Sequence, residues 1–159
     1  SKVFNDKIKI KNSIRYGYTS FKEHFGNGHP NIMATRFDYL RIAKAIMDDY
    51  QTDTCVGKYL KEIYKRRIPK NLTEERTEPG FNRSKTYGGQ FHFDYPGLKD
   101  KIVFGMNGYG GQAILIDMEN SRIVVLNSLH YNNTKYKYGY KKLLFDVIKK
   151  GKQVNWKLN

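Results

Sequence analysis

The chain holds a single cysteine and no long apolar run, and each scarcity narrows what it can be. Cys55 stands alone among 159 residues, so no intrachain disulfide can form and no cysteine pair offers zinc spacing. No stretch reaches the roughly 18 consecutive apolar residues that a membrane-crossing helix needs. The start, Ser1-Lys2-Val3-Phe4-Asn5-Asp6, has no apolar signal core and no initiator methionine, which gives it the look of a processed or excised start. His24, His29, His92 and His130 show no metal-ligand spacing and read as surface groups or satisfied partners. Acidic residues are few, 15 against 29 lysines and arginines, so the net charge is +14. Such a field attracts phosphates, nucleic acid or anionic membranes. The charges are dispersed, however, in Lys7, Lys9 and Lys11, in Lys65, Arg66 and Arg67, and again from Lys135 to Lys152. Lysine, asparagine, tyrosine and isoleucine are abundant together, as an AT-rich genome would produce. A solvated basic surface is the simpler reading.

What is present suffices for one domain, taken as residues 1–159. Apolar residues make up 39% of the chain, low for a globular protein but above the disordered range, and aromatics at 14% supply bulk that the aliphatics do not. Lys7 to Lys11 alternates like a short exposed strand. Tyr16-Gly17-Tyr18 and Gly26 to Pro30 are loop signals. Ala34 to Asp49 reads as a helix capped by Thr35 and Asp38, with Phe37, Leu40, Ala43 and Met47 on one stripe and Tyr39, Ile42, Ile46 and Tyr50 on the next, so it should be mostly buried. Thr52-Asp53-Thr54 can cap a second helix, whose Val56, Tyr59, Leu60, Ile63 and Tyr64 follow helical spacing up to Pro69. Residues 71–85 read as a long surface loop.

Strands follow: Tyr87 to Tyr95, a turn at Pro96-Gly97, Ile102 to Met106, and a hairpin of Gln112 to Met118 with Arg122 to Ser128 around Glu119-Asn120-Ser121. The continuous run Val124-Val125-Leu126 predicts a strand covered on both faces. Tyr140, Leu143, Leu144, Val147 and Ile148 share a face of a closing helix that ends at Gly151. The expectation is an α+β fold: an antiparallel meander flanked by helices, with a C-terminal helix packed on the sheet.

Between two of these strands lies Met106-Asn107-Gly108-Tyr109-Gly110-Gly111-Gln112, a glycine-dense turn of the kind that lets backbone approach a ligand. This run, with Ala34-Thr35-Arg36-Phe37-Asp38-Tyr39-Leu40, Tyr87-Gly88-Gly89-Gln90-Phe91-His92-Phe93 and Asp117 to Leu126, resembles in order the C-terminal half of the serine β-lactamase-like hydrolases. That superfamily takes in class C β-lactamases, penicillin-binding proteins, esterases and nylon-oligomer amidases. The resemblance covers about Gly26 to Lys150. It implies a partial β-lactamase/transpeptidase-like fold of bacterial type (periplasmic or cytoplasmic), with no cofactor and with a small ester or amide as substrate. It also implies that the backbone N–H of Tyr109 serves the oxyanion hole, and that Asn107, Gly108, Gly110, Gly111, Gln112 and His130 lie along the substrate. Asn107 stands where the family has a hydroxyl and could donate to a substrate carbonyl.

Two departures accompany the resemblance. The family's nucleophile motif, Ser-x-x-Lys, occurs nowhere: Ser13, Ser20, Ser84, Ser121 and Ser128 all lack a lysine three positions on. Tyr131-Asn132-Asn133 matches Tyr-x-Asn only in letters, since it falls after the hairpin. The cation of the third motif is replaced by Met106, which points away from a β-lactamase and toward an esterase or amidase. The expectation is therefore a C-terminal segment whose nucleophile half lies elsewhere, inactive alone, with an exposed sheet edge or apolar face that favours self-association or pairing with that half. Two other readings are a non-catalytic basic module for nucleic acid or another anionic partner, and a pseudoenzyme scaffold. Tyr136, Tyr138 and Tyr140 between lysines could stack on bases, although packing of the closing helix explains them as well.

Overall fold

A computed structural model of the chain describes residues 2–19, 29–71, 84–98, 100–107, 112–126 and 147–149. It is α+β. A π-helical turn at Val3–Lys7 leads to a small antiparallel hairpin of β1 (Arg15–Thr19) and β2 (His29–Met33). Two helices follow, α1 (Arg36–Gln51) and α2 (Cys55–Lys65). The remaining strands are β3 (Ile68–Pro69), β4 (Thr86–Gly88), β5 (Phe91–Phe93), β6 (Val103–Asn107), β7 (Ala113–Asp117) and β8 (Arg122–Leu126). They form one six-stranded antiparallel meander in chain order.

Local chemistry starts both helices as the sequence predicts. The Thr35 hydroxyl accepts from the Asp38 N–H at 3.2 Å, and the Thr54 hydroxyl accepts from the Gly57 N–H at 3.0 Å. The helices approach closely: a Cβ on Gly57 would lie 1.9 Å from the Asp49 carbonyl oxygen, so only glycine fits there. Gln51 ties the end of α1 to the sheet, donating to the Met118 carbonyl and to Ser121 Oγ, both at 2.8 Å.

The sheet has two apolar faces. On the first, Phe93, Phe104, Ile114 and Ile116 pack beneath Ala43 and Met47 of α1 and Leu60 of α2. Phe104 is fully buried and meets Phe91, Phe93 and Tyr50 edge-on, with Tyr64 stacked against it. On the second, Tyr95, Leu98, Val103, Ala113 and Leu115 surround Ile148. Residues 147–149 are helical, so Ile148 bears out the expected helix on the sheet at that one point. Tyr140, Leu143, Leu144 and Gly151 lie outside the described residues.

Several expectations need correction. Lys7 to Lys11 is no strand, because the π-helical turn and a left-handed Lys9 (φ 57°) take its place. Tyr16-Gly17-Tyr18 is part of β1 instead of a loop, and β2 begins at His29, within the expected loop around Pro30. Tyr87 to Tyr95 is two strands. Gly89 and Gln90 both take positive φ (53° and 69°), the geometry of a two-residue type I′ hairpin turn, so Gly88 pairs with Phe91. Phe37 and Leu40 are exposed, as are Val56, Tyr59 and Val147. The helices bury only the narrower stripe that touches the sheet. The strand covered on both faces is β7, while β8 is half-buried throughout and has a strand neighbour on one side only among the described residues.

Asp38 anchors the N-terminal segment to α1. It is fully buried, and its carboxylate accepts from the backbone N–H groups of Lys11 (3.0 Å) and Asn12 (3.2 Å), from the Asn12 amide, from the Thr35 hydroxyl and from Arg41 (2.8 Å). These donors, the Lys11 N–H foremost, hold its pKa well below the ordinary 3.8 against the opposing effect of burial. A depressed carboxylate stabilises the fold above its unfolded pKa, and that contribution is lost as pH falls toward the folded one. The gap in melting temperature between wild type and Asp38→Asn should thus be constant from pH 7 to about 5 and close as pH drops below 3.8. A gap independent of pH would refute the assignment. In urea unfolding, Phe104→Ala should cost about 3–5 kcal/mol.

Candidate functional site

The site expected from sequence begins at the end of β6. β6 and β7 pair in full register from Val103↔Asp117 to Asn107↔Ala113, so the connection between them emerges at one end of the sheet. Asn107 and Gln112 flank that connection and are both exposed. Gly108, Tyr109, Gly110, Gly111 and His130 lie outside the described residues. On the other side, β6 meets β5 through the single pair His92↔Gly105. On this antiparallel register Phe91 is the residue opposite Met106, and Asn107 lies beyond the end of β5, with a strand partner only in β7 among the described residues.

Alternation along β6 decides what surrounds this end of the strand. Phe104 and Met106 turn toward the helices, where Met106 packs against the core. Val103, Gly105 and Asn107 turn to the second face. Here Gly105 is required by contact: a Cβ would fall 1.8 Å from the Tyr95 hydroxyl oxygen. The hydroxyl lies over the glycine and accepts a hydrogen bond from Asn107 Nδ2 at 3.3 Å. Tyr95 is 2% exposed, and burial pushes its phenol well above the ordinary range, with the Asn107 bond offsetting part of the rise. Asp94, left-handed at φ 53°, bends the chain after β5 and sends Tyr95 back over β6. Asp94 is held by Arg67 Nε at 2.8 Å and the Thr86 hydroxyl at 2.7 Å.

A second polar group was not foreseen. Lys70 Nζ bonds Ser84 Oγ and lies 2.7 Å from His92 Nδ1, and Ser84 Oγ lies 3.1 Å from the same nitrogen. An ammonium donating to Nδ1 places the proton of a neutral imidazole on Nε2. A hydroxyl beside an amine and an imidazole is the material of acyl transfer. Ser84 is only 1% exposed, however, so an acyl carbon has no way to its oxygen. The cluster instead ties the chain after β3 to the strands β4 and β5. No sequence spacing announces it, since 14 residues separate Lys70 from Ser84. His92 is thus a satisfied partner, as its lack of ligand spacing suggested.

The basic surface is locally neutralised. Lys7, Arg41, Lys44, Lys61, Arg66, Arg67 and Lys101 each face a carboxylate, from Asp49, Asp38, Asp48, Asp53, Glu62, Asp94 and Asp117 respectively. This weakens the case for a concentrated nucleic-acid face over the described residues. Among those residues no cluster of histidine, cysteine and carboxylates could hold a metal ion, and no helix is long and apolar enough to cross a membrane.

Gly105→Ala should destabilise the protein by about 1–3 kcal/mol, through overpacking against Tyr95. Urea unfolding checks this, and an unchanged midpoint would remove the contact from the site. Comparison of the chain with protein-family models, with curated proteins and with solved structures finds no match.

Proposed function

We propose that the chain is the C-terminal part of a β-lactamase-related serine acyl hydrolase, of esterase or amidase type. In this reading it supplies the oxyanion-hole strand, and the nucleophile comes from a half that the sequence does not contain. The observation that carries the proposal is that β6 runs past the end of β5, so that among the described residues Asn107 has a strand partner only in β7, immediately before the expected donor. A strand end with one free side can turn a backbone N–H toward a ligand, and a strand paired on both sides cannot. The order of elements supports it, with a capped helix pair followed by a meander ending in the Asp117–Leu126 hairpin.

Two further features agree. Ile32, Met33, Phe37 and Leu40 are exposed around the start of α1, an apolar surface of the kind a second half would cover. Met106 turns into the helical core, so position 106 offers no cation for a substrate carboxylate, which favours an esterase or amidase over a β-lactamase. The buried state of Ser84 agrees with a nucleophile supplied from elsewhere. In the reaction, a serine hydroxyl attacks the acyl carbon, and the N–H of Tyr109 stabilises the negative oxygen that develops.

The test is made on the protein as its gene encodes it. Tyr109→Pro deletes the N–H and should lower kcat about 10²–10³-fold on a 4-nitrophenyl ester, with the far-ultraviolet circular dichroism unchanged. A folded variant with full activity would overturn the proposal, as would a gene product that a fluorophosphonate probe fails to label.

A further inference from the structure

The N-terminal end of α1 gathers exposed apolar side chains and cations in one place. The bonds of Asn12 to Thr35 and Asp38 hold residues 11–12 against the first turn of the helix. The β1–β2 hairpin meets the same end. Its Arg15↔Met33 pair lies just before the cap Thr35, and the Tyr39 hydroxyl donates to the Ile32 carbonyl. The last pair of the hairpin, Thr19↔His29, is about 13 Å further along the strands. Tyr16, Ile32, Met33, Phe37 and Leu40 stand at this end, each at least 41% exposed. Tyr16 lies opposite Ile32, and Phe37 and Leu40 are neighbours one turn apart.

The charges around them are of one sign. Among the described residues from Ile8 to Leu40 the sole carboxylate is Asp38. It is fully buried, with its oxygens taken by Lys11, Asn12, Thr35 and Arg41. The side chains of Lys11, Arg15 and Arg36 are exposed and have no ion-pair partner among the described residues. The Arg36 guanidinium lies 5.1 Å from the centre of the Phe37 ring, so a cation adjoins the apolar surface directly.

This composition complements an anionic bilayer. Apolar side chains enter the boundary between headgroups and acyl chains, while lysine and arginine reach back to the phosphates. The centre of a protein interface is instead depleted of charge. We propose that the N-terminal end of α1, with the base of the adjoining hairpin, seats on an anionic lipid surface. Ile32, Met33, Phe37 and Leu40 enter the bilayer boundary, and Lys11, Arg15 and Arg36 bind headgroup phosphates. The inference goes beyond the hydrolase reading and does not rest on it.

The 159-residue chain is sedimented with vesicles of phosphatidylglycerol and phosphatidylcholine in equal parts, and with vesicles of phosphatidylcholine alone. It should pellet with the first and stay in solution with the second. A cation near a charged membrane surface strengthens binding about 5-fold, so Lys11→Gln, Arg15→Gln and Arg36→Gln together should weaken it about 100-fold. Phe37→Ser with Leu40→Ser should weaken it at least ~10-fold and remove the part that persists in high salt. Lys58→Gln, Lys65→Gln and Lys85→Gln take the same charge from exposed positions elsewhere. They should change the affinity less than about threefold, because screening confines each charge to its own surroundings. Absence of sedimentation with the phosphatidylglycerol vesicles would overturn the inference. Equal weakening by the two triple variants would overturn it too, since binding would then follow overall charge. Either failure leaves the hydrolase reading standing, with its missing half as the cover for these side chains.

Discussion

The seating of Phe104 against the helical layer is the constraint on which the rest of the sheet depends. The ring is fully buried among Tyr50, Tyr64, Phe91 and Phe93. Side chains alternate along a strand, so this one placement sends Gly105 and Asn107 to the opposite face. A slip of one residue would drive Gly105 against the helices and Phe104 against Tyr95. The polar corner formed by Tyr95, Gly105 and Asn107 is in this sense a product of hydrophobic packing on the other side of the same strand. The site inherits its geometry from the core.

Acidic residues, although scarce, do disproportionate structural duty. Asp38, Asp49 and Asp117 are buried, and each is surrounded by donors. Asp117 accepts from the Glu119 and Asn120 N–H groups and from the Asn120 amide, which closes the β7–β8 turn. Asp49 receives the Thr54 hydroxyl at 2.9 Å and pairs with Lys7. A buried carboxylate is tolerable only when its lone pairs are matched in this way. The large positive charge therefore coexists with a fold in which three aspartates are interior, while Asp48, Asp53 and Glu62 pair with cations at the surface.

Some of this was readable from residues alone. Thr35 and Thr54 cap helices because a β-branched hydroxyl before an apolar periodic run has a local task that no distant contact overrides. Pro96-Gly97 turns the chain, with Gly97 at φ 77° and the Leu98 N–H bonded to the Tyr95 carbonyl. The strands β6, β7 and β8 were legible from their length and composition. The β4–β5 hairpin was not, because glutamine at the second left-handed position carries no turn signal, and Tyr87 to Tyr95 alternates well enough to pass for one strand. Helix faces were overestimated for a different reason. Apolar spacing predicts which residues share a stripe, but the width of the stripe that is covered depends on the neighbours, so Phe37 and Tyr59 stay in solvent. Around the candidate site Asn107 and Gln112 were singled out by motif, whereas the partnership of Tyr95 with Gly105 and the Lys70–Ser84–His92 cluster arise only from tertiary contact.

Cys55, the sole thiol, is exposed at the first turn of α2. Chemically this makes the molecule monovalent toward maleimides: one conjugate per chain, with one attachment geometry. Tethered through that sulfur, the protein would be held at the start of α2, so the handle and the tip of β6 belong to different elements of the architecture.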